Sequence, residues 1–158
     1  CRLPGGPLAW PLIAARPRPA AMGHAMSSAP QLQTTPYELL GGNEAAVRRI
    51  VDRFYDTMES APDLRELRAM HAPDLGPMRD RLSWFLTGWL GGPAIYAERT
   101  GGGACMSSVH QPFPIDDRAR EQWMSCMRRA LDTPEVPAGV RALVEPAFER
   151  MTGFLRNR

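Results

Sequence analysis

The sequence predicts an all-helical fold for most of the chain, on three observations. From Pro36 onward, apolar residues recur at the i, i+3, i+4, i+7 spacing of amphipathic helices, and no strand-length segment alternates apolar and polar residues. Proline and glycine breaks separate the periodic segments. The chain has 158 residues, and about 120 residues suffice to bury the core of one domain. We therefore predict a single helical domain over residues 35–158.

The first half of this domain divides at caps and breaks. A short helix over residues 37–40 ends at the Gly41-Gly42 pair, after which Asn43 caps a long helix. The apolar face of that long helix comprises Val47, Ile50, Val51, Phe54, Tyr55 and Met58. A proline-initiated turn and a corner at residues 71–74 lead into a helix over residues 74–90, which a Gly-Gly-Pro sequence ends.

The second half is predicted to be irregular before its last two helices. Residues 94–109 are expected to be rich in loops, because three successive glycines at 101–103 make a long helix improbable there. A short helix is expected to end at His110. The next helix covers residues 116–132, and the last helix runs to the C-terminus with a kink at Pro146.

The charge and the cysteine content exclude several classes of protein. All 19 basic residues are arginine, the formal net charge is only +2, and no basic run exceeds two residues, so no nucleic-acid-binding surface is indicated. The three cysteines follow no spacing of a disulfide framework or a zinc site. No uncharged stretch is apolar over the roughly 20 consecutive residues of a membrane span. We therefore expect a cytoplasmic protein, monomeric or homodimeric, without a nucleic-acid or membrane partner.

Residues 1–34 differ in composition from the rest of the chain. Prolines and arginines are frequent there, and Pro11, Pro17 and Pro19 break the only apolar run, residues 8–15, which makes a poor secretory signal. We interpret this segment as a disordered leader. The alternative is upstream sequence read through before a true start at Met22 or Met26.

His110 is the candidate metal ligand. It is placed between a short helix and a proline-fixed turn, an arrangement that holds one imidazole rigidly and leaves room for a flat cofactor. Imidazole is the commonest metal ligand in proteins, and haem iron is often held by a histidine. Met106, Phe113 and Ile115 are candidate apolar walls for such a cofactor. For an isolated histidine, the alternative is a surface or hydrogen-bonded role.

Five short motifs, spread over residues 36–158, together resemble those of one protein family. They are Tyr37-x-x-x-Gly41-Gly42, Arg53-Phe54-Tyr55, Trp89-x-Gly91-Gly92-Pro93, His110-x-Pro112-Phe113 and Trp123-x-x-Cys126-Met127. In their order and spacing they resemble the group II (group O) truncated haemoglobins. The resemblance implies a two-over-two helical sandwich around a b-type haem, with His110 as the proximal iron ligand.

The resemblance also assigns residues to the distal side of the haem. It places Tyr55, His71 and Trp123 beside the bound ligand, where a phenol O–H, an imidazole N–H and an indole N–H would donate to dioxygen. Each such bond would be worth about 1.5–3 kcal/mol. The remaining expected haem contacts are Met78, Leu82 and Phe85 as apolar walls. Our own candidates for holding the propionates are Arg79, Arg81 or Arg99. Val109 stands where many members have an arginine before the proximal histidine.

Two functions follow from the resemblance, and a third stays open beside them. The first is reversible binding of dioxygen and other diatomic ligands such as nitric oxide and carbon monoxide. The second is nitric oxide dioxygenation or peroxide reduction at the same iron. Because the glycine clusters lack the GxGxxG spacing of a dinucleotide fold, that enzyme would need an external reductase. The third is a haem-free helical interaction module.

Overall fold

The computed structural model describes residues 34–103 and 105–158, and these residues form helices and connections without a strand. The elements are α1 (Pro36–Leu39), α2 (Glu44–Ser60), a 3-10 turn (Pro62–Leu64), α3 (Arg65–Ala69), α4 (Gly76–Trp89), α5 (Ile95–Thr100), α6 (Met106–His110), α7 (Asp117–Leu131) and α8 (Ala138–Leu155). The predicted all-helical class is confirmed. The predicted leader lies outside the described residues, except for Thr34.

Side-chain caps determine where the long helices begin. Asn43 accepts a backbone N–H of the first turn of α2 at 2.8 Å, as the sequence predicted, and Asp116 does the same for α7 at 2.8 Å. α4 begins at Gly76, later than expected, because the Asp74 carboxylate accepts the Gly76 N–H at 2.9 Å. That bond forms a turn which competes with helical backbone.

α5 corrects the expectation of a loop-rich stretch over residues 94–109. Ile95 is buried where α5 packs against α4, and the Tyr96 ring meets the Phe85 ring edge-on at 6.4 Å. A helix of six residues is too short to be stable on its own, so this packing stabilises it. It ends at Gly101, which takes the left-handed conformation with φ 74°.

Two helix pairs form the body of the domain. α2 packs against α4 and α7, and α7 packs against α8, which is the arrangement expected of a two-over-two sandwich. The core contains almost completely buried side chains from several helices, among them Val47, Val51, Phe54, Met124, Met127, Val140, Val144 and Phe148. Complete burial of such a side chain contributes roughly 1.5–3 kcal/mol. None of the helices in the described part of the chain is long and apolar enough to cross a membrane.

α1 closes one end of this body at the break that follows α4. The Tyr37 N–H donates to the carbonyl oxygen of Leu90 at 3.0 Å. A Cβ atom at Gly92 would lie 2.8 Å from both the Tyr37 ring and the carbonyl oxygen of Thr87. The predicted helix stop therefore has a second role, because only glycine leaves room for α1 at this position.

Candidate haem site

His110 ends α6, as the sequence predicts, and its imidazole is held by the same helix. Nδ1 lies 2.7 Å from the carbonyl oxygen of Met106. Because a carbonyl oxygen only accepts, Nδ1 carries the proton and Nε2 of the neutral ring keeps its lone pair. A metal-ligating histidine usually donates its other ring N–H in this way. The geometry of His110 therefore fits an iron ligand.

A side chain from the C-terminus holds the proximal segment, which we define as residues 105–115. Asn157 Nδ2 donates to the carbonyl oxygen of Phe113 at 3.0 Å and lies 3.5 Å from that of His110. Its Oδ1 accepts the Ile115 N–H at 3.0 Å. Sequence reasoning missed Asn157, because its role arises only where α8 packs beside α6.

The apolar walls predicted around His110 differ in exposure. Met106 is buried and Ile115 is half-buried, but Phe113 is 42% exposed and Val109 is 50% exposed. Both exposed side chains lie within three residues of His110 in the sequence and leave apolar surface that a ligand can cover. The surroundings of His110 therefore suit an apolar molecule such as a porphyrin.

Phe54 brings two of the predicted distal residues together. Its ring lies 5.0 Å from the Tyr55 ring and 5.3 Å from the Trp123 ring. The ring of His71 completes the group, 6.1 Å from the Tyr55 ring and nearly perpendicular to it at 77°. We refer to Tyr55, His71 and Trp123 as the distal trio. Phe148 extends the cluster to α8, with its ring 5.5 Å from that of Trp123.

The phenol of Tyr55 is suited to donate a hydrogen bond. The residue is only 2% exposed, and burial raises the pKa of its phenol, so that the hydroxyl keeps its proton. Trp123 is half-buried beside it, and an indole N–H can only donate. Both residues therefore have the chemistry that the resemblance assigns to them.

His71 has a different hydrogen-bonding state from the one that the resemblance implied. Its Nδ1 lies 2.9 Å from the carbonyl oxygen of Leu67, so Nδ1 carries the proton of the neutral ring. Burial lowers the pKa of His71, which favours that neutral ring. The only N–H of the neutral ring therefore donates to the Leu67 carbonyl oxygen, and Nε2 has a free lone pair. An imidazole N–H toward a bound ligand would require the protonated ring.

The predicted apolar wall lies along α4. Met78, Leu82 and Phe85 are partly buried and pack against the core, at spacings that place them on one face of the helix. Phe85 is further supported by the Tyr96 ring of α5. This face is continuous with the core that holds the distal trio.

Two of the three candidate arginines for the propionates, Arg79 and Arg99, differ in their partners. Arg79 donates to the backbone carbonyl of Asp52 at 2.9 Å and to the Asp56 carboxylate at 2.7 Å, and its guanidinium lies 5.6 Å from the centre of the Tyr55 ring. Arg99 is exposed, and its guanidinium lies 5.5 Å from the centre of the Trp84 ring. Within residues 34–103 and 105–158, no carboxylate pairs with Arg99, which leaves its charge available to an anion.

The described residues fit haem better than a metal ion bound by protein alone. Among them, no group of three or more histidine, cysteine, aspartate or glutamate side chains could hold a metal ion. His110 instead offers one nitrogen lone pair amid apolar side chains. That donor set suits an iron whose other ligands come from a porphyrin.

Comparisons with known proteins agree with this geometry. The family model described as bacterial-like globin matches residues 35–157. Group 2 truncated hemoglobin YjbI of Bacillus subtilis (strain 168) is 36% identical over 123 residues, which cover 78% of this chain and 89% of that protein.

Solved structures give the same result. The group II 2-on-2 hemoglobin of Agrobacterium tumefaciens superposes with a TM-score of 0.73 at 33% identity, covering 83% of this chain and 98% of that one. The truncated hemoglobin of Pseudoalteromonas haloplanktis TAC125 also gives a TM-score of 0.73, at 35% identity, covering 78% of this chain and 98% of that one. The chain therefore belongs to the bacterial-like globin family and is a group II truncated haemoglobin.

Proposed function

We propose that this protein holds a b-type haem through His110 and reversibly binds dioxygen and other diatomic ligands at its iron. The observation that carries the proposal is the bond from His110 Nδ1 to the Met106 carbonyl oxygen, because it leaves Nε2 as a ligand for iron. A related structure, that of the truncated haemoglobin of Bacillus subtilis, is described as oxygen-avid. Non-covalent binding is favoured because the sequence has no Cys-x-x-Cys-His motif.

When bound, haem would supply the iron at which a diatomic ligand is held. The phenol of Tyr55 and the indole N–H of Trp123 would donate to that ligand and slow its release. Met78 and Leu82 on α4 would exclude water from the same space, since neither offers a polar group. We propose Arg99, rather than Arg79, as the propionate partner, because carboxylates of α2 already neutralise Arg79.

Absorbance spectroscopy tests the iron ligand. The protein purified after haem-replete expression should show a Soret band, and His110→Gly should lose most of it. External imidazole should restore the band in His110→Gly, because it replaces the deleted ligand. His24 is the third histidine of the sequence and lies outside the described residues; His24→Ala is the matched control and should keep the wild-type spectrum. A colourless wild-type protein, or a His110→Gly spectrum identical to that of the wild type, would contradict the proposal.

Dioxygen dissociation rates test the distal donors. Tyr55→Phe and Trp123→Phe should each release dioxygen about 10-fold to 100-fold faster, which corresponds to losing one hydrogen bond of about 1.5–3 kcal/mol. Tyr96→Phe removes a phenol hydroxyl outside the distal trio and should leave the rate unchanged. Unchanged rates in both distal variants would show that the ligand is held without these donors.

A further inference from the structure

Arg79, on α4, places a positive charge over the face of the Tyr55 ring. Its guanidinium carbon lies 5.6 Å from the ring centre, which is within the roughly 6 Å over which an aromatic face attracts a cation. The Arg79 side chain is only 16% exposed, and Tyr55 is buried. Because water has little access to this pair, the charge acts on the ring with less screening than it would at an open surface.

The helix that carries Tyr55 also fixes the guanidinium of Arg79. One guanidinium nitrogen donates to the carbonyl oxygen of Asp52 at 2.9 Å, and the other donates to the Asp56 carboxylate at 2.7 Å. These two residues lie three positions before and one position after Tyr55 on α2. The planar fork of an arginine can make both bonds at once. α2 therefore holds the cation beside its own tyrosine.

The carboxylates that pair with Arg79 do not cancel its effect on the phenol. The side chains of Asp56 and Glu59 are 68% and 45% exposed, so water screens their charges more than it screens that of Arg79. Burial raises the pKa of the Tyr55 phenol, and the charge on Arg79 acts against that rise. The guanidinium thus favours negative charge on the phenol oxygen.

The hydroxyl of Tyr55 is available to a ligand. Among residues 34–103 and 105–158, none forms a hydrogen bond with it. When a phenol donates a hydrogen bond, negative charge increases on its oxygen, and a cation on the ring face stabilises that charge. A bond donated by Tyr55 is therefore stronger than one from a buried tyrosine without a neighbouring cation.

We propose that Arg79 is a positioning residue for the distal donor, which strengthens the hydrogen bond from Tyr55 to a diatomic ligand and so slows the release of that ligand. The inference rests on the proposed function, because it requires Tyr55 to donate to a ligand at the haem iron. Arg79 acts through the phenol, and its role differs from that of a propionate partner.

Dioxygen dissociation rates of the haem-loaded variants test this role. Arg79→Gln keeps N–H donors but removes the charge, and it should release dioxygen about threefold to tenfold faster than the wild type. Arg79→Lys keeps a cation and should release dioxygen more slowly than Arg79→Gln does. Arg48→Gln is the matched control and should leave the rate unchanged, because Arg48 also pairs with Asp52 and joins α2 to Asp80 of α4.

A double-mutant cycle and an infrared spectrum distinguish an effect on the phenol from a change in packing. Once Tyr55→Phe has removed the hydroxyl, adding Arg79→Gln should cause no further acceleration. In the carbon monoxide complex, Arg79→Gln should raise the C–O stretching frequency toward that of Tyr55→Phe, because a weaker donor draws less electron density onto the ligand. Arg79→Met replaces Arg79→Gln in both measurements if the latter does not load haem.

The outcomes separate this inference from the proposed function. It would be overturned by a wild-type rate and frequency in Arg79→Gln, by equal rates in Arg79→Gln and Arg79→Lys, or by equal acceleration with and without the Tyr55 hydroxyl. Each of these results leaves ligand binding at the iron intact. A wild-type protein without a Soret band would overturn both.

Discussion

Tyr55 and Trp123 of the distal trio lie on long helices beside buried rings, whereas the proximal segment depends on one short helix and on a side chain from the C-terminus. Tyr55 is 2% exposed and lies against Phe54, which is fully buried. On the proximal side, Phe113 and Val109 are largely exposed. The distal geometry is thus part of the folding core, while the proximal side keeps apolar surface for haem to cover. We expect haem binding to stabilise the proximal segment more than the distal trio.

The largest difference between the two regions should appear on truncating a phenylalanine in each. Phe54→Ala should lower the free energy of unfolding of the haem-free protein by about 3–5 kcal/mol, because it leaves a cavity between α2 and α7. Phe113→Ala should change it by no more than about 0.5 kcal/mol. Urea unfolding followed by circular dichroism measures both values. Equal losses would refute the contrast between a buried distal and an exposed proximal side.

A glycine packed against α1 and a glycine near the proximal segment should differ in the same direction. Gly92→Ala should destabilise the haem-free protein by about 1–3 kcal/mol, because the added Cβ would lie 2.8 Å from the Thr87 carbonyl oxygen and the Tyr37 ring. Gly102→Ala, near the proximal segment, meets no atom of the described residues within 4 Å and should be neutral or slightly stabilising. The midpoints of thermal unfolding of the two variants and the wild type measure this difference in stability. A neutral Gly92→Ala would mean that α1 can move away.

Cys126, on α7, should make the stability of the protein sensitive to alkaline pH. Its buried thiol donates to the Phe54 carbonyl oxygen at 2.9 Å, and burial raises the pKa of the thiol from 9.0 to about 12. The unfolded chain therefore loses this proton at lower pH than the folded protein does. The stability that the thiol contributes is present below pH 9 and is lost as the pH rises toward 12.

The size of this effect can be measured by comparison with Cys126→Ala. Between about pH 8 and about pH 10, the free energy of unfolding of the wild-type protein should fall by about 1.4 kcal/mol more than that of Cys126→Ala. Tyr55 also has a raised pKa, but it is present in both proteins and cancels in the difference. Parallel pH dependences of the two proteins would show that the Cys126 thiol titrates normally.

Sequence reasoning predicted the long, periodic helix α2 better than it predicted short elements and individual hydrogen bonds, for a physical reason. The apolar face of α2 repeats with the helical period, so Phe54 and Tyr55 could be placed in the core before any contact was known. α5 was missed because six residues hold too little periodicity, and packing on α4 determines their conformation. The tautomer of His71 was also beyond the sequence, because it depends on where the Leu67 carbonyl points.

Asn157 offers the finest test of the proximal segment. Asn157→Ala removes the side-chain bonds to the backbone of Phe113 and Ile115, and should cost about 1 kcal/mol of stability in the haem-free protein. Hydrogen exchange of the Ile115 amide should become about fivefold faster, because its acceptor is lost, while amides in α2 should be unaffected.

Arg156→Ala is the neighbouring control, since the bond of its side chain is an exposed ion pair with Asp117, and it should leave this exchange unchanged. Faster exchange in Asn157→Ala that spreads equally to α2 would show that the proximal segment and the distal core open together. The two regions would then unfold as one cooperative unit despite their difference in burial, and the proximal segment would have no lower stability of its own.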